Sequence, residues 1–222
     1  MAMDRGAFLS LCSLTKTDFV ARQITDTYSI HRVVYSLFHK YRELKPRILF
    51  AEKGRKGDLY QILILSEFAP EKPFLKEDEQ KRYKKFQNPE TGLIETKIFP
   101  DSGLNHEKYR FEIIINPAKT VGGKTSRTVV PIPRNDVLEW FTQKSLSSWG
   151  FSPFELDLRN LKVDKFVRRD KKCSRSIPVT LAKALITGFL TVTDRELFKE
   201  SFYKGFGRGK TFGCGLLQLS LN

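Results

Sequence analysis

Asp26-Thr27-Tyr28-Ser29-Ile30-His31-Arg32 opens the most regularly amphipathic stretch of the chain. Ile30, Val33, Val34, Leu37 and Tyr41 recur at offsets of three, four, seven and eleven, the period of one helix face, with Phe38 on its margin. Tyr28 and His31 fall together on the flank of that stripe, one turn apart and facing each other. Asp26 or Thr27 can supply the oxygen that caps the first free amides. The spacing therefore predicts a rigid element that presents an imidazole beside a phenol, close to a helix N-terminus whose potential favours an anion. Two readings fit: an acid/base pair facing a phosphate, or a histidine and a tyrosine that border an apolar core.

Outward from this helix, the elements fall into an order. Phe8 to Leu14 alternates loosely and precedes the helix as a strand; Arg47–Ala51 and Leu59–Leu65 follow it as two more, the second carrying the run Ile62-Leu63-Ile64-Leu65. Pro70 to Gln87 is charged, is broken by Pro70 and Pro73, and admits a short helix about Lys76–Phe86. Tyr109 to Ile115 reads as a strand closed by Asn116-Pro117. Strand, helix, two strands, helix and strand is the order of a ferredoxin-like unit. Lys119 to Thr128, with Gly122, Gly123 and three basic residues, has linker composition. The order then repeats. Thr128–Pro133 is a short extended piece, and Asn135 or Asp136 caps a helix to about Ser148. Phe154, Leu156 and Leu158 alternate with polar residues as a strand, and Val179–Val192 is a long strand bent at Gly188. Thr193-Asp194-Arg195-Glu196 resembles a capping box before a helix through Tyr203, and Leu216–Leu221 closes the chain. No residue-level repeat accompanies the repeated order. The fold class expected is α+β, as two tandem ferredoxin-like (RRM-like) domains over residues 1–118 and 128–222, joined by a linker over 119–127.

Among the 222 residues, 40% are apolar, enough to bury real cores, and 39 basic residues against 25 acidic ones leave a net charge of +14. That excess favours a polyanionic partner, either nucleic acid or an anionic surface. No run of eighteen apolar residues exists to span a membrane, and Met1-Ala2-Met3-Asp4-Arg5-Gly6 lacks the pattern of a signal peptide. Cys12, Cys173 and Cys214 lie far apart without metal-ligand spacing, so neither a zinc site nor a disulfide framework is expected, and a reducing cytoplasm fits. No cofactor is expected.

Two basic stretches interrupt the scaffold. From Arg159 to Arg175, eight basic residues (Arg159, Lys162, Lys165, Arg168, Arg169, Lys171, Lys172 and Arg175) stand against Asp164 and Asp170, a local excess of six. Charge runs are ordinarily solvated faces, but this one lies between two strands and would ride on a β-hairpin, a shape that can lie along a duplex. The second stretch runs from Gly205 to Gly215 as Gly-Phe-Gly-Arg-Gly-Lys-Thr-Phe-Gly-Cys-Gly. Its Gly209-Lys210-Thr211 is no P-loop, since the position that would need the first glycine is Lys204 and a strand follows instead of a helix. Alternate glycines around Arg208 and Lys210 would let the backbone approach a phosphate chain, or would simply turn the chain from helix to strand.

The Gly205–Leu217 segment resembles the glycine-rich signature of the repeat-associated (RAMP) RNA-binding proteins of CRISPR systems. With Tyr28-Ser29-Ile30-His31-Arg32 after a first strand, the resemblance narrows to the CasE (Cse3) type, the CRISPR-RNA-processing endoribonuclease of the Cascade complex. Tyr109–Lys119, a strand ending in Asn-Pro-Ala-Lys, and Phe166–Lys172, a basic hairpin, are similar to the same family, in the same order. Glu67 to Asn105 matches poorly, and no residue is carried over there. The resemblance implies tandem ferredoxin-like domains that grip a repeat stem-loop, cut at its base without a metal, leave a 2′,3′-cyclic phosphate and associate with other Cascade subunits. It implies His31 as the catalytic histidine, Tyr28 as its partner and the basic hairpin on the stem. The candidate site is therefore His31 and Tyr28 for catalysis. Arg32, Lys119, Lys162, Lys165, Arg168, Arg169, Lys171, Lys172, Arg175, Arg208 and Lys210 are the candidates for RNA, with no metal ligands. Such a reaction needs the 2′-hydroxyl proton removed, the leaving 5′-oxygen protonated and the phosphorane charge stabilised. Lys119 and Arg208 are candidates for the last task, and His39 and His106 are alternative bases. Two other functions compete: a non-catalytic RNA-binding subunit of the same superfamily, which needs no positioned His31, and a general nucleic-acid binder, favoured by charge alone.

Overall fold

The capped stretch does form a helix. A computed structural model describes residues 7–71, 77–86, 92–122, 128–169 and 176–221. The chain divides into two compact units, residues 1–101 with Thr211–Gly213, and Ser102–Lys210 with Cys214–Asn222. The N-terminal unit runs β1 (Ala7–Leu14), α1 (Lys16–Arg22), α2 (Thr27–Ser36), β2 (Ile48–Lys56), β3 (Leu59–Ser66), α3 (Glu77–Tyr83) and β4 (Leu93–Phe99). Asp26 starts α2: its Oδ1 accepts the Ser29 amide at 2.7 Å while Ser29 Oγ accepts the Asp26 amide at 2.9 Å, a reciprocal cap. The helix stops at Leu37 and gives way to a 3₁₀ turn, His39–Leu44, so Tyr41 and His39 lie outside it. Ile30, Val33, Val34 and Leu37 close on Cys12, Leu14, Ile48, Phe50, Ile62 and Ile64. Each apolar side chain sealed from water contributes about 1.5–3 kcal/mol, so the rotation of α2 about its axis is fixed, and with it the flank that carries Tyr28 and His31.

The four strands of this unit pair antiparallel in the order β2-β3-β1-β4, with α2 between β1 and β2 and α3 between β3 and β4. That is the ferredoxin-like arrangement, but its last strand is Leu93–Phe99 and not the expected Tyr109–Ile115. β4 is an edge strand, with Leu93 and Ile98 more than 60% exposed, so its sequence shows little of the inward/outward alternation by which strands are read.

The second unit runs β5 (Lys108–Ile115), β6 (Ala118–Val121), β7 (Thr128–Pro131), α4 (Val137–Ser148), β8 (Phe151–Arg169), β9 (Ser176–Val192), α5 (Arg195–Lys204) and β10 (Leu217–Ser220). Its sheet has the order β10-β5-β9-β8, again ferredoxin-like. The expected boundary is thus corrected: Tyr109–Ile115 opens the second unit instead of closing the first, and the division falls at 101/102, not in 119–127. Thr128–Pro131 joins Ala118–Val121 in a separate two-stranded ribbon and not in the sheet. The core of this unit is aromatic. Phe111, Phe141, Phe151, Phe198 and Phe206 are all at most 2% exposed and meet at ring separations of 5.8–6.3 Å. Asp194 caps α5 by accepting the Leu197 amide at 3.0 Å. Among the described residues, no helix is long and apolar enough to cross a membrane.

Candidate active site

His31 sits half-buried on the flank of α2, its ring 5.7 Å from that of Tyr28 and nearly parallel to it, and 4.2 Å from that of Tyr35. The third ring beside it is Phe212, at 5.5 Å. His31 Nδ1 lies 2.7 Å from the backbone carbonyl oxygen of Thr211. A carbonyl only accepts, so Nδ1 carries a proton, and in the neutral ring Nε2 is the basic nitrogen. Tyr28 and His31 therefore meet as the helical spacing requires. Burial holds the Tyr35 phenol above its ordinary pKa. The helix places Tyr28 three residues before His31 and Tyr35 four after it, both neighbours on a helix surface.

Sequence reasoning missed Thr211, Phe212 and Tyr35. The first two lie 180 and 181 positions away, where no spacing rule reaches; Tyr35 was open to the i,i+4 rule. The expected anion site at the start of α2 is corrected too. The Ser29 amide is taken by Asp26, and the amides of Thr25 and Asp26 are taken by Ser29 Oγ, each at 2.9 Å, so the protein's own carboxylate occupies the place of an anion. Arg32 is exposed on α2, His39 is exposed beyond its end, and His106 belongs to the second unit.

In the glycine-rich stretch, the chain's own packing explains the glycines. Gly205, Gly207, Gly209, Gly213 and Gly215 all have positive φ. At Gly215 a Cβ would run into the carbonyl oxygen of Phe206, whose amide donates to the Gly215 carbonyl at 2.9 Å. Lys210 Nζ donates to the carbonyl of Lys204 at 2.9 Å, where it covers the C-terminal end of α5. Arg208 is exposed, and its Nη2 donates to Thr120 Oγ1 at 2.6 Å, which ties it to β6, the strand that also bears exposed Lys119.

β8 and β9 build the expected hairpin, in register from Arg169↔Ser176 back to Asn160↔Leu185. Lys162, Lys165 and Arg168 are exposed on it. Lys162 is less available than its charge suggests: Asp164 lies 3.6 Å from it and 3.2 Å from Lys183, whose side chain is only 2% exposed. Sequence reasoning missed Lys183, which lay hidden in the apolar run of β9. Lys171, Lys172 and Arg175 lie outside the described residues, as does the side chain of Arg169.

The profile of the CRISPR-associated protein family matches residues 7–220. The chain belongs to that family. Comparison with curated protein sequences finds no match. Among solved structures, this CRISPR-associated chain is similar to a CRISPR endoribonuclease Cse3 bound to a 19-nucleotide RNA. The TM-score is 0.74 at 21% identity, over 97% of this chain and 100% of that one. It is also similar to the CRISPR-associated protein Cas6e from Escherichia coli K-12, with TM-score 0.58, 18% identity and coverage of 96% and 98%. A chain of a CRISPR RNA-guided surveillance complex matches with TM-score 0.60 at 15% identity, over 96% and 100%. At such identities the likeness is one of fold, and it spans both units.

Proposed function

We propose that this protein is an endoribonuclease that cuts CRISPR precursor RNA at the base of the repeat stem-loop and leaves a 2′,3′-cyclic phosphate. The Cse3 structure with bound RNA and the surveillance complex carry the same fold and motivate the substrate and the setting. The product would stay bound while the protein serves as a Cascade subunit in the cytoplasm. The observation that carries the reading is the fixed ring of His31. With Nδ1–H donated to Thr211, Nε2 is the atom that takes the proton of the attacking 2′-hydroxyl or delivers one to the leaving 5′-oxygen. Three aromatic neighbours limit how the imidazole can swing, which shortens the search for a reactive geometry. Tyr28, beside it, orients the scissile phosphate through its hydroxyl. On the second unit, Lys119 and Arg208 are assigned to RNA phosphates, and Lys165 and Arg168 to the backbone of the stem. Lys162 is given a smaller share because of Asp164.

The route is metal-free, and the test is direct. A labelled repeat hairpin incubated in EDTA is cut, and the product ends carry a cyclic phosphate. Strict dependence on magnesium, or product ends with a plain 3′-hydroxyl, would sink the mechanism.

A further inference from the structure

We propose that the open face of the C-terminal sheet around Phe154 and Phe189 is a second RNA site, which takes unpaired nucleotides by base stacking. The inference rests on the RNA-processing reading above and adds a substrate segment to it.

The alternation of β5 turns Tyr109, Phe111 and Ile113 into the core, where Tyr109 meets Phe198 of α5 and Phe111 meets Phe141 of α4. Lys108 and Arg110 therefore point to the other face. Arg110 is the cross-strand partner of Phe189 on β9, and Phe189 is the partner of Phe154 on β8. One row thus reads Phe154, Phe189, Arg110 across three strands, with Lys108 one row further along. The two rings stack at 5.6 Å and 22°, and Phe154 is 40% exposed. They line a groove of about 500 Å³ together with Leu221, Lys108, His106 and Glu155.

This arrangement is built, not incidental. β8 leaves register between Phe154 and Asp157, and Glu155 adopts φ 49°, a left-handed conformation that a non-glycine residue enters only under constraint. The bulge folds over Gly188, where a Cβ would lie 3.0 Å from the carbonyl oxygens of both Phe154 and Glu155. Bulges re-aim side chains and recur beside functional sites. Here the bulge directly follows Phe154 and sets its ring against Phe189.

A four-stranded sheet that shows aromatic rings on its open face binds single-stranded RNA by stacking bases on those rings, while nearby cations hold the phosphates. Lys108 and Arg110 supply the cations, and the carboxylates near them are Glu155 in the groove and Glu112, two positions beyond Arg110 on the same face of β5, which accepts from Gln218 Nε2. A protein partner fits less well. A stable protein interface covers about 800 Å² per side around an apolar centre, whereas the apolar exposure here amounts to Phe154, Phe189 and Leu221. Two rings suit one or two bases.

The experiment measures two probes over a series of salt concentrations, fluorescein-labelled oligouridine of ten nucleotides and a repeat hairpin that ends one nucleotide beyond its basal pair. The proteins are the wild type, Phe154→Ala/Phe189→Ala, Phe154→Trp and Arg110→Ala. Stacking is worth ~1–3 kcal/mol per base, so the double alanine variant should lose about 5- to 150-fold in oligouridine affinity. It should bind and cut the hairpin as the wild type does, which also reports that it is folded. Phe154→Trp should bind oligouridine at least as tightly, and Arg110→Ala should lower the salt slope. Unchanged oligouridine affinity in the double variant overturns the proposal. So does an equal loss for both probes, or a change confined to self-association, which would make the rings a protein interface. Failure of the wild type to cut any hairpin would instead refute the endoribonuclease reading, and the oligouridine series would still be decisive for the platform.

Discussion

His31 is chemically defined by a backbone atom. Because its Nδ1 partner is the Thr211 carbonyl, replacing the Thr211 side chain leaves the acceptor in place, while removing the imidazole removes Nε2, the nitrogen proposed to react. His31→Ala should therefore slow cleavage by about 10²–10⁴-fold, the usual worth of a general acid or base, with hairpin affinity little changed. Thr211→Ala should cut nearly normally. The sharper check is the ¹⁵N spectrum of the His31 ring in the neutral protein, which should show a protonated Nδ1 and an unprotonated Nε2. The opposite tautomer would mean that the Thr211 contact does not orient the ring in solution. Normal cutting by His31→Ala, with loss in His39→Ala or His106→Ala, would move the base elsewhere. At this scale the sequence was half legible. Helical spacing was enough to pair Tyr28 with His31, because both lie on one element. The Thr211 carbonyl was beyond reach, since a backbone acceptor leaves no mark on residue identity.

Elements differ in how plainly they were written. β3 and β9 carry long apolar periods and fall within three residues of their expected limits, while α2 ends five residues before Tyr41 and β2 runs five past Ala51. β4 is an exposed edge without such a period, and losing it displaced the whole domain boundary. α3 depends on a feature no local pattern shows. Asp18, 2% exposed, accepts the Thr15 amide at 2.9 Å and the Gly92 amide at 2.8 Å, and it also accepts the Tyr83 hydroxyl. Arg22 lies 3.6 Å from Asp18 and 3.9 Å from Glu79 of α3. Burial first, then hydrogen bonding to the Asp18 carboxylate, pushes the Tyr83 phenol from 10.0 to about 12, and burial raises the Cys12 thiol from 9.0 to about 12. The folded state thus keeps protons that the unfolded chain releases, and this contribution is complete below pH ~9. Stability should fall as the pH climbs from about 9 to 12. Melting temperature against pH measures this, and Tyr83→Phe with Cys12→Ala should flatten the alkaline limb. A limb equally steep in that variant would show that other groups drive the loss. On the hairpin, Lys165→Ala and Arg168→Ala should each lower the salt slope of RNA binding by about one, and Lys162→Ala by less, because Asp164 already shares that charge.

For the whole molecule, the question is how a surface of net charge +14 chooses one RNA from many. Charge alone cannot choose, since counterion release rewards any phosphate chain. Selection must come from shape. The deep, narrow major groove of an A-form stem hides its base edges, so a protein reads such a stem mainly through its backbone and width. β8 and β9 form a long two-stranded hairpin with Lys165 and Arg168 exposed, a form that under the proposed function would track a paired stem better than a collapsed single strand. Cutting by the proposed mechanism, in contrast, needs a 2′-hydroxyl brought to Nε2 of His31, which a closed helix holds away from in-line attack. The scissile step should therefore lie at the junction where pairing ends. Compensatory base-pair swaps in mid-stem should be tolerated, disruption of pairing should cost much of the cleavage rate, and changes at the basal pair should cost most. The measurement is a repeat panel of disrupted, restored and linear RNAs compared at one salt concentration. Equal cutting of a linear repeat would remove the stem grip and leave a nuclease for single strands, in which case the hairpin cations would serve affinity without selection.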